Sequence, residues 1–140
     1  IENLSASDRS RLLSDMVREY CAYVREYSLK EYSPLVQKVI NHINLNLNTE
    51  LSLKSLAAMC YISPSYLSNL FKRETGTTLI DYINTQRTQR AAHLLVGTKQ
   101  SVAAIAAQVG ILDVNYFARL FKKALGQTPT QYRRSHRTEP

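Results

Sequence analysis

The stretch FKRETGTT, Phe71 to Thr78, returns fifty residues later as FKKALGQT, Phe121 to Thr128. The correspondence spreads outward at the same offset: Tyr66 with Tyr116, Leu70 with Leu120, Lys72 with Lys122, Gly76 with Gly126, Tyr82 with Tyr132. Upstream the offset shrinks to 49, aligning Leu56-Ala57-Ala58 with Ile105-Ala106-Ala107. Each copy reads as a short helix with an alanine pair, a turn of a few residues, and a second helix stopped by glycine. Small residues let two helices cross closely, which is the geometry of a helix-turn-helix.

The rest of the chain is helical too. It has four glycines and four prolines; its apolar residues recur at three- and four-residue spacing, with no sustained period-two run. The expected fold class is all-α. From Ser7 to about Tyr27, the residues Leu13, Val17, Tyr20, Val24 and Tyr27 form a seam like that of a helix packing on a partner. After Pro34, the residues Leu35, Val36, Val39, Ile40, Ile43 and Leu47 make an amphipathic helix, and a domain boundary falls near Ser33. Ser52 caps a helix to about Cys60; Ser63 with Pro64 opens one that runs to Thr75 and ends at Gly76. Thr78 and Asp81 resemble a capping box, opening a helix of about 18 residues, roughly 27 Å, that ends at Gly97. Ser101 caps VAAIAAQV, a helix runs from about Asp113 to Leu125, and Thr128, Pro129 and Gln131 open a final short one.

A chain of 140 residues holds one ordinary domain or two small ones sharing a core, and a deep-clefted enzyme is not expected at that length. No apolar run approaches a membrane span. The opening IENLSASDRS, without initiator Met or a signal-like region, predicts a fragment of a longer, cytoplasmic protein. Cys21 and Cys60, with only His42, His93 and His136 beside them, offer no metal spacing. Residues 1–50 hold six Lys/Arg against seven Asp/Glu, a net of −1; residues 51–140 hold twelve against four, a net of +8. The basic half is the half that carries the repeat, and a concentrated positive field recruits polyanions such as nucleic acid.

The second helices of the two copies divide by face. In the first, Leu67, Leu70 and Phe71 point one way and Ser65, Ser68, Asn69 and Lys72 the other. In the second, Phe117, Leu120, Phe121 and Ala124 form the apolar stripe, and Asn115, Ala118, Arg119 and Lys122 the exposed one. A helix in a major groove needs small polar or fork-shaped side chains toward base edges and cations toward phosphates. Any surface helix shows a polar stripe, and the helix dipole alone favours a terminal lysine. The duplication of cap, stripe, cation and glycine around a rigid spacer is what points to two reading heads. Tyr66, Tyr82, Tyr116 and Tyr132, repeating beside the apolar stripe, are expected in the core or at a subdomain edge. Met59 and Cys60 are expected to pack, and His93 to lie on the surface.

The stretches SPSYLSNLFKRETG (63–76), DYINTQRTQRAAHLL (81–95) and IAAQVGILDVNYFARLFKKALGQTPTQYRR (105–134) resemble the DNA-binding domain of the AraC/XylS family of bacterial transcription regulators, from about Pro34 to Arg137. The resemblance implies two homeodomain-like helix-turn-helix subdomains joined by a long linker helix: subdomain one over 34–77, the linker over 78–97 and subdomain two over 98–137. Residues 1–33 would be an extra N-terminal helix, the linker from an absent upstream effector-sensing or dimerisation domain. The family implies promoter DNA and RNA polymerase as partners, a possible homodimer, activator function, no cofactor and no catalysis. By motif position, base reading would fall to Ser65, Ser68, Asn69, Asn115 and Arg119, with Val114 and Ala118 limited to apolar contacts such as a thymine methyl. Arg119 has an alternative, a salt bridge with a neighbouring acidic residue such as Asp113. Phosphate contacts would fall to Lys72, Arg73, Lys122 and Lys123, with Arg87, Arg90 and Arg133 as further candidates. Arg87 has a second reading, a tie between the linker helix and a subdomain. Leu112 stands where the family usually has a small hydroxyl residue, which leaves Asp113 to cap the following helix. Gln86 and Thr88 stand at commonly apolar linker positions, predicting a less tightly buried helix.

Two rivals come from other classes. A helical protein-interaction module with a basic docking surface would share the charge and the fold. An enzyme would need a paired acid and base, a phosphate loop or an activated nucleophile, and the sequence offers none of these.

Overall fold

Seven helices follow one another in the computed structural model, which describes residues 32–137 together with residues 8, 9, 11, 15 and 16. They are α1 (Pro34–Leu45), α2 (Leu53–Met59), α3 (Pro64–Thr75), α4 (Leu79–Gly97), α5 (Val102–Gln108), α6 (Val114–Leu125) and α7 (Pro129–His136). There is no strand among the described residues, as the all-α expectation requires. In the N-terminal segment Asp8, Arg9, Arg11, Asp15 and Met16 are helical; Cys21 and the seam Leu13, Val17, Tyr20, Val24 and Tyr27 lie outside the described residues.

Short polar side chains start each of these seven helices. Ser33, Ser52, Ser63, Thr78, Ser101, Asp113 and Thr128 each accept from a backbone amide of the turn that follows. Each bond satisfies one of the amides a helix leaves without an internal partner. The Thr128–Gln131 box is reciprocal. Thr78 instead holds Asp81 N by a single bond of 3.1 Å, because an aspartate is one methylene shorter than the glutamate that normally reaches back. Both α3 and α6 stop at a glycine in the left-handed region, Gly76 at φ 80 and Gly126 at φ 77. Gly97 is the last residue of α4 rather than its stop; Thr98 caps it, its hydroxyl donating to Leu94 O at 2.6 Å.

Two cores form, and α4 belongs to both. The first gathers Val36, Val39, Ile40, Ile43, Leu47, Leu56, Ala57, Leu67, Leu70 and Phe71 around Leu79 and Ile83 from the first half of α4. The second gathers Ile105, Ala106, Val109, Ile111, Phe117 and Phe121 around Ala91, Ala92 and Leu95 from its second half. Phe71, Phe117 and Phe121 are fully buried, and a buried side chain of this kind contributes roughly 1.5–3 kcal/mol. Tyr82 stands edge-on to Phe71 at 5.5 Å between ring centroids, and Tyr132 edge-on to Phe121 at 5.4 Å. Burial raises the pKa of Tyr82 above its ordinary value, the Asn44 hydrogen bond opposing it. Met59 and Cys60 pack partly against the first core, and His93 is exposed.

Thr88 corrects one expectation. It is 1% exposed, between the two cores, and its hydroxyl donates to Asn84 O and Thr85 O at 3.0 Å each. The helix satisfies its own polar group, so a threonine there costs little burial. Ala124 corrects another: it is exposed, one turn past the buried Phe121, beside a cleft lined by Asp81, Asn84 and Thr85 of α4.

The change of offset also has a cause. Ile62 N donates to Ala57 O and Ile111 N to Ala106 O, so these two turn residues are equivalent at 49, whereas the caps Ser63 and Asp113 are equivalent at 50. Leu112 is therefore the inserted residue, and it is expelled into solvent at 86% exposure.

Candidate nucleic-acid interface

The outward faces of α3 and α6 carry the predicted base-reading residues. Ser65 and Asn69 are exposed and Ser68 is half-buried; Val114, Asn115 and Arg119 are exposed and Ala118 is half-buried. Burial of Leu67, Leu70 and Phe71 on one side, and of Phe117 and Phe121 on the other, sets which face each helix turns outward. Asp113 Oδ1 accepts from Asn115 N at 2.9 Å and Tyr116 N at 3.2 Å. The carboxylate is thus committed to the helix start, and among the described residues no ion pair joins it to Arg119. Among the described residues Arg119 has no ion-pair partner, and its planar fork suits bidentate contact with a guanine edge.

Lys72 and Arg73 close the last turn of α3, and Lys122 and Lys123 that of α6; all four are exposed. The negative end of each helix dipole favours them there. The three remaining candidate cations are placed differently. Arg87 donates from Nε to Leu47 O at 3.2 Å and from Nη2 to Thr49 O at 2.8 Å. Arg90 donates to Asn44 O at 3.3 Å. Arg133 donates from Nε to Leu95 O at 2.9 Å and from Nη2 to Gln100 O. These guanidinium groups are engaged with carbonyls at the end of the helix that precedes each helix-turn-helix and in the loop just beyond it. Arg87 and Arg133 do equivalent work in the two units, each fastening a loop to the helix that follows the second helix of its helix-turn-helix. Burial lowers the pKa of Arg87 from its ordinary value, and neighbouring Tyr116 opposes that shift.

Of the two expected places, core or subdomain edge, Tyr66 and Tyr116 are not in the core. They are 53% and 42% exposed, since each sits one residue, about 100° round the helix, from the buried stripe. Sequence reasoning also gave no role to the exposed Leu112, which precedes the α6 cap, or to Tyr61 in the first turn, 94% exposed at φ 59. The slip from 49 to 50 in the repeat was the signal for Leu112; nothing local marked Tyr61. Among the described residues no group of three His, Cys, Asp or Glu side chains is placed to hold a metal, and no helix is long and apolar enough to cross a membrane.

A family model described as a helix-turn-helix domain matches residues 56–135. The bifunctional transcriptional activator/DNA repair enzyme AdaA of Bacillus subtilis is 37% identical over 107 residues, 76% of this chain and 51% of that protein. The arabinose operon regulatory protein of Escherichia coli is 28% identical over 121 residues, 86% of this chain and 35% of its own length. The chain thus spans about half, or less, of these curated relatives. Among solved structures, the C-terminal domain of AraT, a response regulator from Geobacillus stearothermophilus, aligns with a TM-score of 0.75 at 36% identity, over 76% of this chain and 89% of that one. The DNA-binding domain of the transcriptional factor AdpA, solved with a target DNA, aligns at 0.71 and 26% identity, over 74% of this chain and 94% of that one.

Proposed function

The chain belongs to the AraC/XylS family of helix-turn-helix transcription regulators, and from that premise we propose that it binds double-stranded DNA sequence-specifically, with α3 and α6 in successive major grooves. The observation that carries this reading is the duplicated face: each second helix buries its aromatic stripe, turns short polar or fork-shaped side chains outward, and ends in two exposed cations. Ser65, Ser68 and Asn69 read one element, and Asn115 and Arg119 the other, with Val114 and Ala118 against apolar base edges. Lys72, Arg73, Lys122 and Lys123 meet phosphates. Arg87, Arg90 and Arg133 hold the domain together and contribute to the field rather than to a specific phosphate. The 19-residue α4, about 28 Å long, is of the order of the 34 Å between major grooves on one side of B-DNA.

The AdpA neighbour, a DNA-binding domain solved with a target DNA, supports DNA binding by this fold. In the wider protein, residues 1–33 connect this domain to an upstream regulatory or dimerisation domain, and the DNA-bound state activates transcription through RNA polymerase in the bacterial cytoplasm. The activity proposed is binding, with no catalytic step and no cofactor.

Enrichment of bound duplexes from a random pool tests the reading. The expected product is an asymmetric motif with two short elements about one helical turn, roughly 10 base pairs, apart. Equal binding to heparin and to every duplex, with no enriched motif, would overturn it in favour of a basic surface that docks an acidic protein.

A further inference from the structure

The turn of the second helix-turn-helix rests on the first unit. A Cβ on Gly110 would collide with the Leu47 carbonyl oxygen and would lie 3.0 Å from Arg87 Nη2. Leu47 belongs to the first core, and Gly110 follows Val109 of the second. The same Leu47 oxygen accepts from Arg87 Nε. One residue from each unit and one from the shared helix therefore converge on a single oxygen. Gly110 also has φ 89, a left-handed backbone that by itself favours glycine. Its counterpart in the first unit, Tyr61, adopts φ 59 and carries a bulky side chain into solvent. The turn alone therefore does not exclude a side chain; the contact with Leu47 does.

We propose that Gly110 is a positioning residue for DNA recognition: its bare backbone seats the second unit on the Leu47 carbonyl and so sets the spacing between the two DNA elements that the domain accepts. This rests on the two-helix binding mode above. Simultaneous engagement of two tethered heads multiplies affinity by roughly 10²–10⁴ without any new contact, provided that geometry permits both. A small rotation at the seat therefore acts on that factor and leaves each head's own affinity alone.

Gly110→Asn separates contact from backbone strain, because asparagine tolerates the left-handed region but brings a Cβ. Gly76→Asn and Gly126→Asn are the controls: their φ values are equally positive and nothing lies within 4 Å of a Cβ there. Each folded variant, checked by circular dichroism, is titrated with three kinds of duplex: both enriched elements at native spacing, both at spacings altered by one to three base pairs, and one element alone. Gly110→Asn is expected to lose about tenfold or more of the two-element advantage, or to shift its preferred spacing, at unchanged single-element affinity. Both controls are expected to keep the wild-type profile. A wild-type profile in Gly110→Asn overturns the proposal, as does the same altered profile in the controls. If Gly110→Asn does not fold, Arg87→Gln is read on the same duplexes, and a wild-type profile there overturns it. A wild-type protein with no two-element advantage would instead sink the two-groove reading itself.

Discussion

Arg133→Ala separates a structural arginine from a phosphate-binding one. Arg133 closes the end of α4 onto the loop before α5 through Leu95 O and Gln100 O, with Thr98 O at the 3.5 Å limit. A hydrogen bond from a charged donor contributes about 1.5–3 kcal/mol. The side chain is only half-buried, so water replaces part of both bonds in the variant, and the net loss comes to about 2 kcal/mol. For a domain near 100 residues each kcal/mol moves Tm by about 4–8 °C, so Arg133→Ala should melt roughly 8–16 °C below the wild type in calorimetry. Arg133→Lys should recover little of this, since an ammonium group lacks the planar fork that reaches separate carbonyls. The salt dependence of duplex binding, measured well below the melting range, should keep its wild-type slope. A Tm within about a degree of wild type, together with a slope shallower by about 0.9, would refute the reasoning and return Arg133 to the phosphates.

Lys72→Ala and Lys122→Ala should each flatten the plot of log affinity against log salt by about 0.9, read by fluorescence anisotropy over 50–200 mM salt. Arg119→Ala should cost about 1–3 kcal/mol on the enriched site and relax selection at one base pair; equal weakening on random duplex would make it a phosphate contact. Tyr61→Gly should raise the urea midpoint, because relief of a left-handed side-chain conformation, about 1–2 kcal/mol, exceeds the extra entropy lost by glycine, about 0.5–1 kcal/mol. A lowered midpoint would mean that the tyrosine ring stabilises the fold.

What could be read from the chain was local. Ser52, Ser63, Ser101 and Thr128 announce helix starts because each bond is made within three residues, and Pro64 and Gly76 bound α3 by their own backbone preferences. The resemblance carried that reading through Leu112, where Asp113 takes the cap. What could not be read depends on partners far along the chain. Arg133 and Lys122 are both basic residues near a helix C-terminus, yet one reaches carbonyls 33 and 38 residues away and the other reaches none among the described residues. Periodicity finds the centre of a buried stripe but not its margin, so Ala124 was placed too deep. Thr88 looked too polar for a core because its donor is satisfied by its own helix.

Since the first half of α4 completes one core and the second half completes the other, its register is a rotational phase shared by both units. Each residue inserted near Thr88 would turn everything beyond it by about 100° and advance it by 1.5 Å. Restoring the phase takes nearly a whole turn, a jump of about 5.4 Å that exceeds one base-pair step. If α3 and α6 both read DNA as proposed, descendants of this chain can retune each head by substitution, but they cannot lengthen the bar between them gradually.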